Sequence, residues 1–385
     1  MKQQEIHNPF RIKTLLQSGL TASAVLLVFV GCNPGIEETK SGMAEERSGT
    51  RHVPVKATFK VYSAGDNPVI TRGDQGTGGN TYGFEGGKVI KLNNEYYLFT
   101  TEMYGNPIWT KTRLALWKSP DMKNWERLAT LFESSGDFTG EDPRAALWSP
   151  MPTYSHRMDR WILTYVAYNS KPNTDKAWYR NYNGKIWLAI SQVPGYDGLT
   201  GPYKDSLIVL QPGDDQDSWE GLMGTDSFYP YPVCDGWMAF YGSSPESVGL
   251  VRASALTGPW ERISEINPVR RQIENPMVTR IVDGRYIALF DGCGENRKIG
   301  YMVSEDGIHW SREIFFDLDE EISRWWGLTR TPLGLIQESE DLFTIFFTAY
   351  NKDFYEIPDV WKTNDDGVFE DYFASIGWFR VELIR

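Results

Sequence analysis

Alternating apolar and polar positions recur in five similar segments of the chain, which together run from Phe84 to Phe346. Each segment has a short polar loop, a β-patterned strand, a turn and a second strand rich in aromatic residues. The five loops are Phe84–Gly87, Leu147–Pro150, Thr225–Phe228, Ile273–Pro276 and Thr329–Pro332. Copies that repeat at intervals of about 50 to 75 residues and contain only strands are typical of a radial β array. The pattern therefore predicts an all-β fold, a five-bladed β-propeller.

Further strands follow the inner pairs and flank the whole set of repeats. Four copies continue into a third alternating strand that ends at a turn and an aromatic residue. Segments Ala57–Tyr62 and Ile376–Leu383 also have strand patterns. Because an open terminal blade would expose strand edges, we expect one of these two strands to complete the blade that the other begins. Residues 55–385 are thus predicted to form a single propeller domain.

The first 54 residues have a different pattern. Basic residues precede a mostly apolar stretch, Leu20–Val30, which is soon followed by Cys32. This order resembles a bacterial lipoprotein signal peptide, assigned to residues 1–31, and the stretch is short for a membrane span. Residues 32–54 are rich in Gly, Ser and Glu and are predicted to be a flexible tether. The sequence thus predicts a bacterial cell-envelope protein, in the periplasm or on the outer-membrane surface, lipid-anchored at Cys32.

The charge of the chain limits its partners. The formal net charge is −12, and removal of residues 1–31, which contain three basic groups and Glu5, would bring it to about −14. An acidic protein repels polyanions, so we expect no nucleic-acid partner and no membrane contact except through the lipid anchor. Aromatic residues make up 14% of the chain. Their flat rings suit the apolar faces of sugars, and the expected partner is a carbohydrate bound by a monomer.

Cysteine, histidine and acidic residues indicate little metal chemistry. Cys234 and Cys293 lie in neighbouring copies, so a disulfide bond is open, although two buried free thiols are favoured. Cysteine spacing does not fit zinc, and the few histidines exclude a histidine-based triad or zinc site. The loop Asp214–Asp217 has oxygen ligands at alternate positions, so a structural calcium ion stays open beside a solvated turn. We expect no other cofactor and no catalytic metal.

Charged residues occur where the blades begin. The loop that leads into each of four blades carries an acidic residue, and the loop of the fifth carries Arg330. The acidic residues are Glu85, Asp142, Asp226 and Glu274. Inner strands of a propeller converge on one axis, so these side chains are expected to meet around one pocket. Crowded carboxylates raise one another's pKa values, which costs stability unless function uses them. Cleavage of a glycosidic bond needs one protonated and one ionised carboxyl group across a small gap.

Short motifs make the chain similar to a known family. Trp-Ser-Pro at 148–150, Glu-Asn-Pro at 274–276 and the hairpin Val282–Tyr286 resemble the five-bladed propeller enzymes of glycoside hydrolase family 43 and its relatives. The resemblance covers nearly the whole chain after the tether. It implies hydrolysis of a terminal sugar from an oligosaccharide or polysaccharide fragment, with inversion at the anomeric carbon.

The resemblance also implies roles for individual residues. Glu85 stands at the position of the base, although the family has Asp there, and Glu274 matches the acid. Met151 occupies a position where Asp is expected, so Asp142 is the substitute for an orienting carboxylate, together with Asp226. Glu220 competes with Glu274 for the role of acid. Residues expected to bind substrate are Arg144, Trp148, Glu220, Arg330 and Trp326.

Two other functions stay open. The sequence Glu141–Arg144 is similar to an element of the mannoside phosphorylases and mannosidases of glycoside hydrolase family 130, which implies a possible phosphorolysis of mannosides. Phosphorolysis needs clustered basic groups, and Arg144 and Arg330 are the evident ones. The second alternative is a glycan-binding surface lipoprotein without catalytic activity. Trp148 also has a second interpretation, as a residue of the packed core.

Overall fold

The computed structural model describes residues 57–174, 180–243, 246–293, 297–319, 321–354 and 372–384. The signal peptide, Cys32 and the tether lie outside these residues. The described part consists of strands and loops with one 3-10 turn, Tyr196–Thr200. Within this part, no helix is long and apolar enough to span a membrane.

The strands form five antiparallel sheets arranged in chain order. The strands are β1 Thr58–Ala64, β2 Phe84–Leu92, β3 Glu95–Met103, β4 Thr112–Ser119, β5 Glu126–Glu133, β6 Ala146–Ser155, β7 Arg160–Ser170, β8 Asn181–Ser191, β9 Tyr203–Leu210, β10 Phe228–Val233, β11 Gly236–Ser243, β12 Ser247–Ala253, β13 Glu261–Arg262, β14 Arg270–Arg271, β15 Ile273–Arg280, β16 Tyr286–Gly292, β17 Ile299–Ser304, β18 Ile314–Phe315, β19 Trp326–Gln337, β20 Leu342–Asn351 and β21 Ser375–Ile384. Blades 1 to 5 begin with β2, β6, β10, β15 and β19. These five inner strands contact one another in a closed ring. The five-bladed β-propeller predicted from the repeats is confirmed.

The ring is closed by the two ends of the domain. Strand β1 pairs with β21, with Phe59 opposite Leu383, and so becomes the outermost strand of blade 5. Phe59 inserts its ring against Tyr301 of blade 4 and Phe343 of blade 5, at centroid distances of 5.1 and 5.4 Å. The expectation that one terminal strand completes the blade of the other is therefore correct.

Outer strands were not evident in the sequence. Blades 1 and 2 each have a fourth strand of 8 residues, β5 and β9. Blades 3 and 4 have only the two-residue strands β13, β14 and β18 on their outer side. A strand of two residues is too short to carry an alternating pattern.

The core lies between blades rather than inside one of them. Five clusters of buried apolar residues each join the facing sheets of two neighbouring blades. Between blades 1 and 2, for example, Leu114 and Leu116 pack with Leu147 and Leu163. Because every blade shares its core with both neighbours, the inner strands are held rigidly around the axis.

Candidate active site

Interruptions in the inner strands determine which side chains face the axis. In β2 the register shifts between Glu85 and Gly87, and Gly86 between them has φ of 66°. A β-bulge of this kind turns the preceding side chain away from the regular pleat. A Cβ atom on Gly86 would lie 2.4 Å from Oγ of Ser149, so only glycine fits here.

The same interruption is found in two more blades. In β15 the register shifts after Glu274, and Asn275 has φ of 52°. In β6 it shifts after Trp148, and Ser149 has φ of 53°. Glu85, Trp148 and Glu274 are each followed by the residue with positive φ, so three related bulges direct three functional candidates to the axis.

These side chains line one cavity of about 130 Å³. Its charged residues come from all five blades, and four aromatic residues complete the lining. The charged residues are Glu85, Asp226, Glu274, Arg330 and Arg180. The aromatic residues are Trp109, Trp148, Tyr168 and Tyr372. The predicted meeting of distant acidic side chains at the hub is found in the structure.

Arg330 holds two of the carboxylates together. Its Nη2 atom donates to Oε1 of Glu85, and its Nη1 atom donates to Oε2 of Glu274 at 3.3 Å. Since one guanidinium group bridges them, the two bonded carboxylate oxygens are at most about 9 Å apart.

Asp226 is in a different environment. The hydroxyl of Tyr168 donates to the Asp226 carboxylate and also to its backbone oxygen, at 2.7 Å. No other hydrogen bond to that carboxylate is found in the described parts of the chain. Burial, and then the negative charge of Glu274, raise the pKa of Asp226 to about 6. Asp226 therefore keeps its proton to a higher pH than an ordinary aspartate does.

Asp291 is a further buried carboxyl group that the sequence analysis missed. It lies on β16 directly opposite Glu274, and its side chain is 2% exposed. Its Oδ1 atom accepts from Nδ2 of Asn275 at 2.9 Å, and its Oδ2 atom lies 3.4 Å from Nη1 of Arg330. Burial raises its pKa to about 7, although Arg330 opposes the shift. Asp291 lies in the second strand of a blade, away from the entry loops, so the repeated loop motifs did not point to it.

The aromatic wall is fixed by hydrogen bonds between loops. Nε1 of Trp148 and Nδ2 of Asn181 both donate to the backbone oxygen of Trp109, at 3.1 and 3.0 Å. Nε1 of Trp109 donates to the hydroxyl of Tyr372 at 3.1 Å. Trp148 therefore lines the cavity, where a residue that binds substrate is expected to lie. Trp109 and Tyr372 lie outside the repeated motifs, so the sequence did not indicate them.

Two predicted site residues lie outside the cavity lining. Asp142 accepts from the backbone N–H of Arg144 at 2.8 Å, so its carboxylate stabilises its own loop. The Arg144 side chain pairs with Asp205 and stacks over Phe132 and Trp187, at 5.4 and 5.1 Å from their ring centroids. Asp142 and Arg144 were predicted to face the central pocket, and their placement corrects that prediction. The reason is that their loop lies before β6, whereas the residue of β6 that faces the axis is Trp148, at the bulge.

Glu220 and Trp326 are also outside that lining. Glu220 is fully buried, and it accepts from Arg262 at 2.5 and 3.0 Å and from the Tyr241 hydroxyl at 2.9 Å. This ion pair joins a loop to blade 3 and leaves Glu220 no path to substrate. Trp326 is buried in the core between blades 4 and 5, with its ring 5.0 Å from that of Phe347. The aromatic residue at this position therefore belongs to the packed core.

The structure also bears on the predicted metal site and on the two cysteines. Among the described residues, no three His, Cys, Asp or Glu side chains group as metal ligands do. In the acidic loop, Asp215 pairs with Arg262 at 2.8 Å and Asp217 accepts from Asn267 at 3.0 Å, so protein donors occupy these carboxylates. Cys234 and Cys293 are free, as favoured, but Cys234 is exposed and only Cys293 is buried.

Comparisons with known proteins agree with the fold. Neither a protein-family model nor a curated protein sequence matches the chain. Solved structures similar to it include a family 117 glycoside hydrolase of the marine bacterium Zobellia galactanivorans, with 13% identity, a TM-score of 0.56 and coverage of 85% of this chain and 90% of that one. An α-L-arabinofuranosidase of Podospora anserina has 10% identity, a TM-score of 0.54 and coverage of 84% and 97%. A family 43 β-1,3-galactosidase has 14% identity, a TM-score of 0.53 and coverage of 84% and 60%.

These similarities define the class of fold. The chain has the five-bladed propeller found among glycoside hydrolases of families 43 and 117, which confirms the likeness in fold inferred from the short motifs. At identities of 10 to 14%, the likeness carries the architecture and leaves the activity to the chemistry of the site.

Proposed function

We propose that the chain is a glycoside hydrolase that acts on the end of an oligosaccharide or polysaccharide fragment. The observation that supports this most is the joint placement of Glu85, Asp226 and Glu274 in one small cavity. Their environments differ: two carboxylates bind Arg330, and the third has a raised pKa. A carboxyl group that keeps its proton, next to carboxylates bound to a cation, is what acid–base cleavage of a glycosidic bond requires.

Asp226 is our choice for the acid. The sequence analysis gave this role to Glu274, but the Glu274 carboxylate binds the Arg330 guanidinium, whereas the Asp226 carboxylate accepts from the neutral hydroxyl of Tyr168. Asp226, with a pKa of about 6, keeps a proton for the leaving oxygen at weakly acidic pH. Glu85 and Glu274 are ionised in this scheme, and one of them activates water or attacks the anomeric carbon. The distance from Asp226 to that second carboxylate decides the stereochemical outcome, and inversion remains our proposal.

The leaving group distinguishes the acid from the base. An aryl glycoside with an acidic phenol needs little protonation, so Asp226→Asn should cleave it at close to the wild-type rate and lose about 10²-fold or more on a natural glycoside. Loss of the base or nucleophile, in Glu85→Gln or Glu274→Gln, should slow both substrates. If Asp226→Asn keeps the wild-type rate on the natural glycoside while Glu274→Gln shows the leaving-group dependence, Glu274 is the acid.

A panel of aryl glycosides and natural oligosaccharides, incubated with and without phosphate, tests the reaction class. We expect turnover of at least one glycoside without phosphate. Arg144 lies outside the cavity, but Arg180 lines it together with Arg330, so phosphorolysis stays the alternative and would appear as strict dependence on phosphate. Binding of a glycan without turnover under any condition would favour the non-catalytic lipoprotein.

The location in the cell envelope is a separate proposal. It relies on residues 1–31 and on Cys32, which the sequence alone indicates. Metabolic labelling with a palmitate analogue in a bacterial host should mark the wild-type chain and leave Cys32→Ala unlabelled. Equal labelling of both chains would contradict the anchor.

A further inference from the structure

A second cavity, of about 490 Å³, lies on the axis at the end opposite the carboxylates. All inner strands begin at the candidate active site and run the same way, so their later residues line the other end of the axis. Strands β2, β6, β15 and β19 contribute to this lining. The two cavities are separate sites, and nothing in the proposed hydrolysis uses the second one.

Lys88 supplies an ammonium group without a counter-ion to this second cavity. It lies on β2, three residues after Glu85, and lines the cavity with a partly buried side chain. No hydrogen bond or ion pair of Lys88 is found in the ranges that the structure describes. The other lysine of the lining, Lys91, differs because it forms an ion pair with Glu338.

The rest of the lining favours negative charge. Although the chain has a net charge of −12, the lining of the second cavity contains no aspartate or glutamate among the described residues. The inner strands pair on one side only, so N–H groups of their free edges point to the axis. An ammonium group and backbone N–H groups together form a donor set for an anion.

We propose that the second axial cavity binds a small anion through Lys88. The anion is a compact oxyanion such as sulfate or phosphate, or the carboxylate of an acidic sugar. Such an anion replaces the hydration that the ammonium group loses inside the channel.

The titration of Lys88 provides a signature for this site. Burial lowers its pKa to about 8, so the ammonium form is lost as pH rises through that value. The other titratable groups of the lining are Lys91, whose pKa Glu338 raises, and Tyr154, whose hydrogen bond to Asp159 raises its pKa to about 12. Only Lys88 therefore changes charge near pH 8, and affinity for an anion should fall about tenfold per pH unit above it.

Calorimetric titration of the full chain with sodium sulfate, and separately with sodium glucuronate, tests the site without any turnover. At about pH 7 we expect saturable binding of at least one anion, and the stronger of the two identifies the chemical source. Lys88→Met should lose the binding at least tenfold, while the exposed control Lys60→Met keeps it. At about pH 9.5 wild-type binding should fall about 30-fold, and Lys88→Arg, which stays charged, should retain its affinity.

Three results would overturn the proposal: no binding of either anion to the wild type, equal affinities of the wild type and a folded Lys88→Met, or affinity independent of pH. Lys88→Met should fold, because methionine replaces an amine that is costly to bury. A two-state melting curve of the variant checks this. If Lys88→Met is unfolded, the pH dependence of the wild type against Lys88→Arg decides.

Discussion

The stability of the Asp226→Asn variant follows directly from the site. Burial and the charge of Glu274 raise the pKa of Asp226 from 3.8 to about 6. The folded chain therefore binds this proton more tightly than the unfolded chain, and Asp226 stabilises the fold below about pH 4. This contribution is lost as pH rises through about 6. Replacement by Asn removes the pH-dependent loss, so the variant should gain on the wild type as pH rises.

The size of the gain comes from the same shift. A change of about two pKa units corresponds to about 3 kcal/mol, and about 2 kcal/mol of it falls between roughly pH 4.5 and pH 7.5. Solvent at the cavity mouth makes this an upper bound. The Tyr168 hydroxyl can still donate to the amide oxygen of Asn, so the local geometry should remain.

Urea unfolding at both pH values measures the effect. We expect the free energy of unfolding of Asp226→Asn, relative to the wild type, to rise by about 1 to 2 kcal/mol from roughly pH 4.5 to pH 7.5. Asp235→Asn, which changes an exposed carboxylate in the β10–β11 hairpin, serves as the control and should show no such rise. A difference for Asp226→Asn that is the same at both pH values would refute the electrostatic argument.

Three further changes test the scaffold around the site. Gly86→Ala should lower the free energy of unfolding by about 1 to 3 kcal/mol and remove turnover, because a φ of 66° is strained for alanine and its Cβ atom would lie 2.4 Å from Oγ of Ser149; Gly78→Ala, in open space, should change neither in the same urea and activity assays. Arg262→Met should cost about 3 to 5 kcal/mol in thermal or urea unfolding because it leaves Glu220 buried and unpaired, and adding Glu220→Gln should recover part of the loss; a negligible cost would contradict the buried ion pair. Phe59→Ala should cost about 3 to 5 kcal/mol and increase proteolysis of β1, since this ring ties the closing strand to blades 4 and 5; unchanged proteolysis would argue against that closure.

The sequence predicted the fold well because the repeated inner pairs are buried on both faces. Strands such as β3 and β7 carry nearly continuous apolar runs between evenly spaced turns, and their pattern does not depend on distant contacts. Outer strands are shorter and face water, so β13 and β18 left no pattern. Closure by β1 and β21 was predicted from the physical cost of open strand edges.

The site was predicted in part, for a physical reason. Glu85 and Glu274 stand directly at bulges, where a carboxylate before Gly or Asn interrupts an apolar strand. Asp142 is also a carboxylate at the start of a blade, yet its hydrogen bond to its own loop is evident only in the structure. Asp291 was missed because its role depends on cross-strand pairing with Glu274.

The central claim is that carboxylates of blades 1, 3 and 4 act together on a glycosidic bond. The most direct test is kcat/KM for the best natural glycoside of the panel, measured for the wild type, Glu85→Gln, Asp226→Asn and Glu274→Gln. Glu126→Gln, on an exposed part of the outer strand β5, is the matched control. The account predicts that each of the three site variants loses about 10²-fold or more while remaining folded, and that the control keeps the wild-type value. Folded site variants with wild-type kcat/KM would contradict it.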